Sequence, residues 1–256
     1  PVDRRQRQMC IRDRPYEAKQ MPLKFFLKFF QNHGLFNLKN RPQWYTIKNR
    51  SRTYVKKILE TISGVYYKNY RINKISRLSN GVKVYYGGNN EFFDYDKVVI
   101  ATHADEALSL ITDPTPEEKS ILANFKYKNN IAIIHTDESL MPKNKKAWSS
   151  WNSSVNKENT SETSITYWLN LLQNLKTNKN IFLSLNPFLK IDPKKIISKV
   201  KFTHPYYDKE ALENQNRLKN IQNKKNLLFC GSYFGYGFHE DGIKSSLEMI
   251  KSFNDR

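Results

Sequence analysis

The 256-residue sequence holds only two cysteines, Cys10 and Cys230, in no metal-ligand spacing. That excludes a disulfide framework and a cysteine-based metal site, and it makes a reducing, cytoplasmic setting the expectation. Long apolar runs are also missing. The densest stretch, Phe25–Phe30, is broken by Lys28 and is far too short to span a bilayer. The first residues are charged, without the apolar stretch of a secretory signal. Acidic residues are scarce, 24 against 43 Lys and Arg, which leaves a net charge of +19. A nucleic-acid partner needs such charge gathered on one face. Here the lysines are spread over most predicted elements, among the abundant Asn, Ile, Tyr and Phe of an AT-rich coding bias, so no nucleic-acid partner is expected. Glycine is scarce too, and four of the nine (Gly231, Gly235, Gly237, Gly242) fall within twelve residues.

What is present fits a globular chain: 39% hydrophobic and 13% aromatic residues, enough for one sizeable core or two modest ones. Pro1–Arg14 differs in composition from the rest. Its five arginines and two aspartates carry +3, so the remainder keeps +16, and the stretch reads as a non-native prefix outside the fold. Leu23, Phe26, Leu27 and Phe30 recur at helical spacing, which suits a core-facing helix or, with Lys24 and Lys28 beside them, a helix touching lipid. Ser51 is a candidate N-cap for a helix through Leu59. From Val65 to Thr102 the pattern is one of strands: Ile72 and Ile75 in the first, a turn at Asn80-Gly81, then alternating Val82, Val84 and Tyr86. A second turn at Gly87–Asn90 leads to the wholly apolar Val98–Ala101, suited to the middle of a covered sheet. Thr115-Pro116 opens a helix. Residues 131–134, 165–168 and 181–185 read as strands, and 152–162 as an exposed loop. Trp148 and Trp151, around two serines, are either packing or one wall of a substrate cavity; Tyr233 and Tyr236 are further cavity candidates.

The organising stretch is Leu227–Phe253. Leu227 to Cys230 reads as a strand buried on both faces, and Gly231 ends it. A glycine-rich loop follows, with Glu240 and Asp241 at the start of a helix whose Ile243, Leu247, Ile250 and Phe253 share one face. Strand, glycine-rich loop and helix N-terminus together suit an electron-rich ligand group.

The string Cys230-Gly-Ser-Tyr-Phe-Gly-Tyr-Gly-Phe-His-Glu-Asp-Gly242 resembles the C-terminal FAD-contacting segment of the flavin-containing amine oxidase superfamily. It looks most like a bacterial branch described as predicted NAD/FAD-binding proteins or FAD-dependent oxidoreductases. Ala101-Thr-His-Ala-Asp105 is similar to the same branch, as is Arg41-Pro-Gln-Trp44, although Asn49 and Arg50 stand where that branch has two glycines. The resemblance implies an α/β (mixed α+β) fold, with part of an FAD-binding domain joined to a mixed sheet/helix substrate domain. It implies FAD as cofactor, held by Ile72, Ala101, Thr102, Gly231, Ser232, Gly237, Phe238, His239, Glu240, Asp241, Gly242 and Ile243. His239 and Glu240 would act through backbone amides at the flavin's pyrimidine end. The implied boundaries are 15–60 for substrate-domain helices, 61–112 and 226–253 for the FAD domain, and 113–225 for the substrate domain. No Gly-x-Gly-x-x-Gly follows a strand here, since Glu240 takes the third glycine position after Gly235 and Gly237. The implied protein is therefore the C-terminal part of a longer FAD-dependent oxidoreductase. Its substrate is a small molecule, an amine or a lipid, and its membrane contact, if any, is peripheral. A non-catalytic flavin-binding or membrane-associated protein is the alternative, and a basic nucleic-acid binder is a further one.

Overall fold

The computed structural model describes residues 22–253 except 33, 35, 40–42, 44, 46, 89, 90, 160 and 161. The prefix 1–14, most of the Arg41–Trp44 motif and the tip of the second turn at 89–90 lie outside the described residues. In chain order the elements are α1 (Leu23–Asn32), α2 (Ser51–Thr61), β1 (Ile72–Leu78), β2 (Gly81–Tyr86), β3 (Glu91–Tyr95), β4 (Val98–Ile100), α3 (Ala104–Leu110) and α4 (Pro116–Leu122). There follow β5 (Lys126–His135), β6 (Trp151–Val155), β7 (Thr163–Trp168), α5 (Leu169–Leu172), β8 (Phe182–Leu185), β9 (Ile196–Tyr206), α6 (Lys209–Gln215), β10 (Leu227–Phe229) and α7 (His239–Phe253). The architecture is mixed α/β, in two compact units. One comprises the described residues up to Lys48 and of 128–204; the other comprises the described residues of 49–127 and from Pro205 onward.

These divisions differ from the boundaries expected after residues 112 and 225. Ile121, Leu122 and Phe125, and then Ala211, Leu218 and Ile221, are buried in the same core as β4 and β10, so both stretches belong to the second unit. Helix α2 also belongs there. Its N-cap is Arg50, not Ser51, and no side chain caps it.

In the second unit β1, β2 and β3 form an antiparallel meander. Leu78 pairs with Gly81, so Ser79 and Asn80 form the turn and Gly81 already belongs to β2. Strands β4 and β10 pair in parallel, Ile100 opposite Phe229. Among the described residues β4 has no second strand partner, and Val99 is 37% exposed, so it lies at a sheet edge and not in mid-sheet. His103 is the N-cap residue of α3. Thr115 caps α4 in a full capping box with Glu118. Glu118, fully buried, is also paired with the buried guanidinium of Arg77, which reaches Asp113 as well. Helix α7 turns Ser245 and Met249 inward. Ile243, Leu247 and Ile250, which share the apolar face of the helix, are each more than half exposed. The reason is local: the Ser245 hydroxyl accepts from the Gly231 N–H at 2.9 Å, and Met249 packs with Leu228 and Cys230, which sets the rotation of the helix.

The first unit is built on a five-stranded sheet in the order β6-β7-β8-β5-β9. Strand β6 occupies 151–155, the first half of the expected loop. Two-residue alternation places Thr166, Ser184 and His135 on one buried face. In α1 the buried residues are Phe29 and Phe30, while Leu23 and Leu27 of the expected core face are exposed.

Candidate cofactor site

The C-terminal ends of β4 and β10 lie side by side, the place where open parallel sheets take ligands. Each strand delivers its predicted site residues there. Ala101 and Thr102 follow β4; Gly231 follows β10. A side chain at Gly231, where φ is +156°, would meet the Tyr233 ring at 2.7 Å and the Thr102 carbonyl oxygen at 3.5 Å, so the two strand ends are closely apposed. Ile72, Ala101 and Thr102 line a groove of about 340 Å³ together with Ile75, Val98 and Leu110.

The loop after Gly231 is held from several directions. The Ser232 carbonyl accepts from both Gly235 and Gly237 N–H at 3.1 Å. The Gln215 amide at the end of α6 donates to the carbonyls of Tyr233 and Gly235 at 3.0 and 2.6 Å. Gly237 has φ +88°, and a Cβ there would lie 2.8 Å from the Tyr207 hydroxyl, so both backbone angle and space call for glycine. The Asp241 carboxylate accepts from Phe238 N–H at 3.0 Å, the reciprocal half of a capping box. The Phe238 amide is thus committed within the protein. The N–H groups of His239 and Glu240 lie in the turn where an α-helix supplies no acceptor of its own. A Cβ at Gly242 meets nothing nearer than the Ser232 nitrogen at 4.0 Å, so space beside the helix start is left unfilled by protein. Open space next to first-turn amides fits the pyrimidine edge of a flavin, which presents acceptors. Ile243 is 57% exposed on the outer face of α7.

The surrounding phenols are neutral. Burial pushes Tyr127 up to about 12, and burial also raises Tyr207, Tyr233 and, with help from Asp241, Tyr236. None is a base near neutral pH. His103 stacks on Tyr127, rings 4.3 Å apart, which agrees with its helix-start role. Tyr233 is a core residue and no cavity wall: it is 1% exposed, with Phe125 edge-on to its ring at 5.2 Å. The two tryptophans do not form one wall either. Trp148 packs edge-on to Trp168, whereas Trp151 packs on Tyr167. Tyr167 and Trp168 are neighbours in β7 and point to opposite faces of the sheet. Tyr236 is half-buried in the loop. The roles of Gln215, Ser245 and Tyr54 (which bonds His239) carry no local sequence signal; that of Asp241 could have been read from its place three residues after Phe238.

No family model matches the sequence, and no curated protein does. The fold does have solved counterparts. A fatty acid isomerase from P. acnes that produces CLA superposes with a TM-score of 0.55 at 12% identity, over 80% of this chain and 52% of that one. A protein assigned as a protoporphyrinogen oxidase from Exiguobacterium sp. 255-15 gives 0.57 at 12% identity, over 92% and 59%. Putrescine oxidase bound to putrescine gives 0.54 at 9% identity, over 81% and 53%. The likeness is one of fold. The chain spans between half and three-fifths of the length of these neighbours.

Proposed function

We propose that this chain is the C-terminal part of an FAD-dependent oxidoreductase of the amine oxidase type, acting on an amine or lipid substrate. The observation that carries the reading is the convergence of Ala101–Thr102, Gly231 and the first turn of α7 at the ends of two parallel strands. When bound, the flavin supplies the hydride acceptor or donor. The chain's own residues bind and orient. His239 and Glu240 N–H groups offer donors to a developing negative charge at the pyrimidine end. Asp241, Gln215 and the Ser232 carbonyl keep the loop in shape. No general base is assigned.

Three features support a longer parent in which another α/β unit, carrying the glycine fingerprint missing here, completes the site. The second edge of β4 has no strand partner among the described residues, the apolar stripe of α7 is exposed, and an apolar groove runs along β4. The test is to purify the full-length parent and record its visible absorption. A flavin band, with tight FAD binding lost in the present chain alone, is the expected result. A colourless parent that takes up no FAD overturns the reading. Exposed Leu23 and Leu27 beside Lys24 and Lys28 favour a peripheral lipid contact as a second reading, checked by co-sedimentation with anionic vesicles.

A further inference from the structure

Helix α2 has little to hold it. None of its eleven residues is buried, Val55 and Ile58 are exposed, and its start follows two residues with positive φ, Asn49 at 62° and Arg50 at 67°. These replace the glycines expected there, and they keep a backbone shape that glycine takes more readily. From the first turn of α2, the Tyr54 hydroxyl reaches across to His239 Nδ1 at 2.8 Å. The rings meet edge-on, 6.2 Å apart at 68°. The contact joins residues 185 positions apart, and His239 is the first residue of α7.

A neutral imidazole offers one donor and one acceptor nitrogen. A phenol is a good donor, and an unprotonated ring nitrogen is a good acceptor. The pairing in which Tyr54 donates and Nδ1 accepts leaves the ring proton of His239 on Nε2. We propose that Tyr54 is a positioning residue of the candidate cofactor site. Its hydroxyl selects the Nε2–H tautomer of His239, which adds a side-chain donor beside the first-turn amides of α7, and it fastens α2 to the start of that helix. The inference deepens the flavin reading, in which His239 was expected to act mainly through its backbone.

The test uses the full chain without flavin, so that its outcome is separate from that of the cofactor reading. Histidine side-chain nitrogens are observed by 15N NMR, and the His239 signals are identified by their loss in His239→Ala. The expected result is an unprotonated, hydrogen-bonded Nδ1 and a protonated Nε2. Tyr54→Phe should shift the Nδ1 resonance toward that of a free acceptor nitrogen. Amide exchange in α2 should quicken by roughly two- to tenfold in Tyr54→Phe and in His239→Ala, as for one lost hydrogen bond. The double variant should exchange no faster than the faster single one. A protonated Nδ1 in the wild type, or unchanged His239 nitrogen shifts in Tyr54→Phe, overturns the tautomer assignment. Unchanged α2 exchange in both single variants overturns the fastening. A colourless full-length parent would remove the flavin role without touching either readout.

Discussion

In the second unit the most deeply buried side chains are apolar: Ile121, Leu122, Leu218, Leu227 and Phe229, with the ion pair of Arg77 and Glu118 set among them. In the first unit the buried face of the sheet carries a hydrogen-bonded row. His135 Nε2 meets the Ser184 hydroxyl at 2.8 Å, that hydroxyl meets Thr166 at 2.7 Å, and Asp137 N–H donates to His135 Nδ1 at 3.1 Å. The two interiors should therefore fail differently. An apolar core with one buried ion pair is sensitive to loss of either charge. A core built on a neutral histidine is held by the saturation of its polar groups and weakens when that histidine is asked to charge.

The largest expected effect lies in the second unit. Glu118→Ala leaves the Arg77 guanidinium buried beside only the half-exposed Asp113 and removes half of the Thr115 capping box. Breaking a buried pair from one side costs about 3–5 kcal/mol. Denaturant unfolding should show that loss, with faster amide exchange concentrated in β1 and α4. A loss below about 1 kcal/mol would mean that this core does not depend on the pair.

In the first unit Ser184→Ala should cost less, about 1–3 kcal/mol, because it strands the His135 Nε2 proton and deprives Thr166 of its partner. Exchange in β5 and β8 should quicken while β4 and β10 keep their protection. Equal quickening in both units would erase the contrast.

Acid sharpens the comparison further. Burial lowers the His135 pKa below its ordinary value of 6.5, with Asp137 opposing in part. The unfolded chain then takes up a proton first as the pH falls. The contribution of neutral His135 is present in full above about 6.5 and is lost as the pH drops through that value toward the folded one. Asp137 acts in a lower window. Burial alone would raise its carboxyl, but the N–H groups of Asp192 and Ser139 and the Lys195 ammonium more than offset this and hold it below the usual range. Unfolding midpoints between pH 8 and 5.5 should fall in the wild type and flatten in His135→Gln. An unchanged slope in the variant would place the titration elsewhere.

The smallest effect belongs to the candidate site itself. Gly242 sits in the first turn of α7 with room for a methyl group, so Gly242→Ala should leave the flavin-free chain equally stable or more stable by up to about 1 kcal/mol. In the full-length parent Gly242→Val should lower bound-flavin content, because its side chain enters the space assigned to the ring. Unchanged flavin content in Gly242→Val would remove this helix start from the cofactor site.

Much of this was legible in the chain because it depends on near neighbours. The apolar run Leu227–Cys230 could only be a buried strand, and Thr115-Pro116 followed by Glu118 carries its own capping chemistry. The crowding of glycines at 231–242 marked a backbone under geometric demand, and Gly231 and Gly237 have the angles and contacts to match. The side a residue faces was harder to read. Ile243, Leu247 and Ile250 trace an apolar stripe in the sequence, yet one serine bonded to Gly231 turns that stripe outward. Trp148 and Trp151 look like one feature and lie on opposite faces, because a strand alternates between them and their partners.

By itself the sequence determined most of the elements, the Thr115 cap, the turn at Asn80-Gly81 and the positions where only glycine suits the backbone, since each of these rests on interactions within a few residues. Tertiary structure decided which strand ends lie together, that the Tyr233 ring is packed in the core against Phe125, and that Tyr54 meets His239. Those outcomes depend on contacts between residues that the chain keeps a hundred or more positions apart, and no local pattern encodes them.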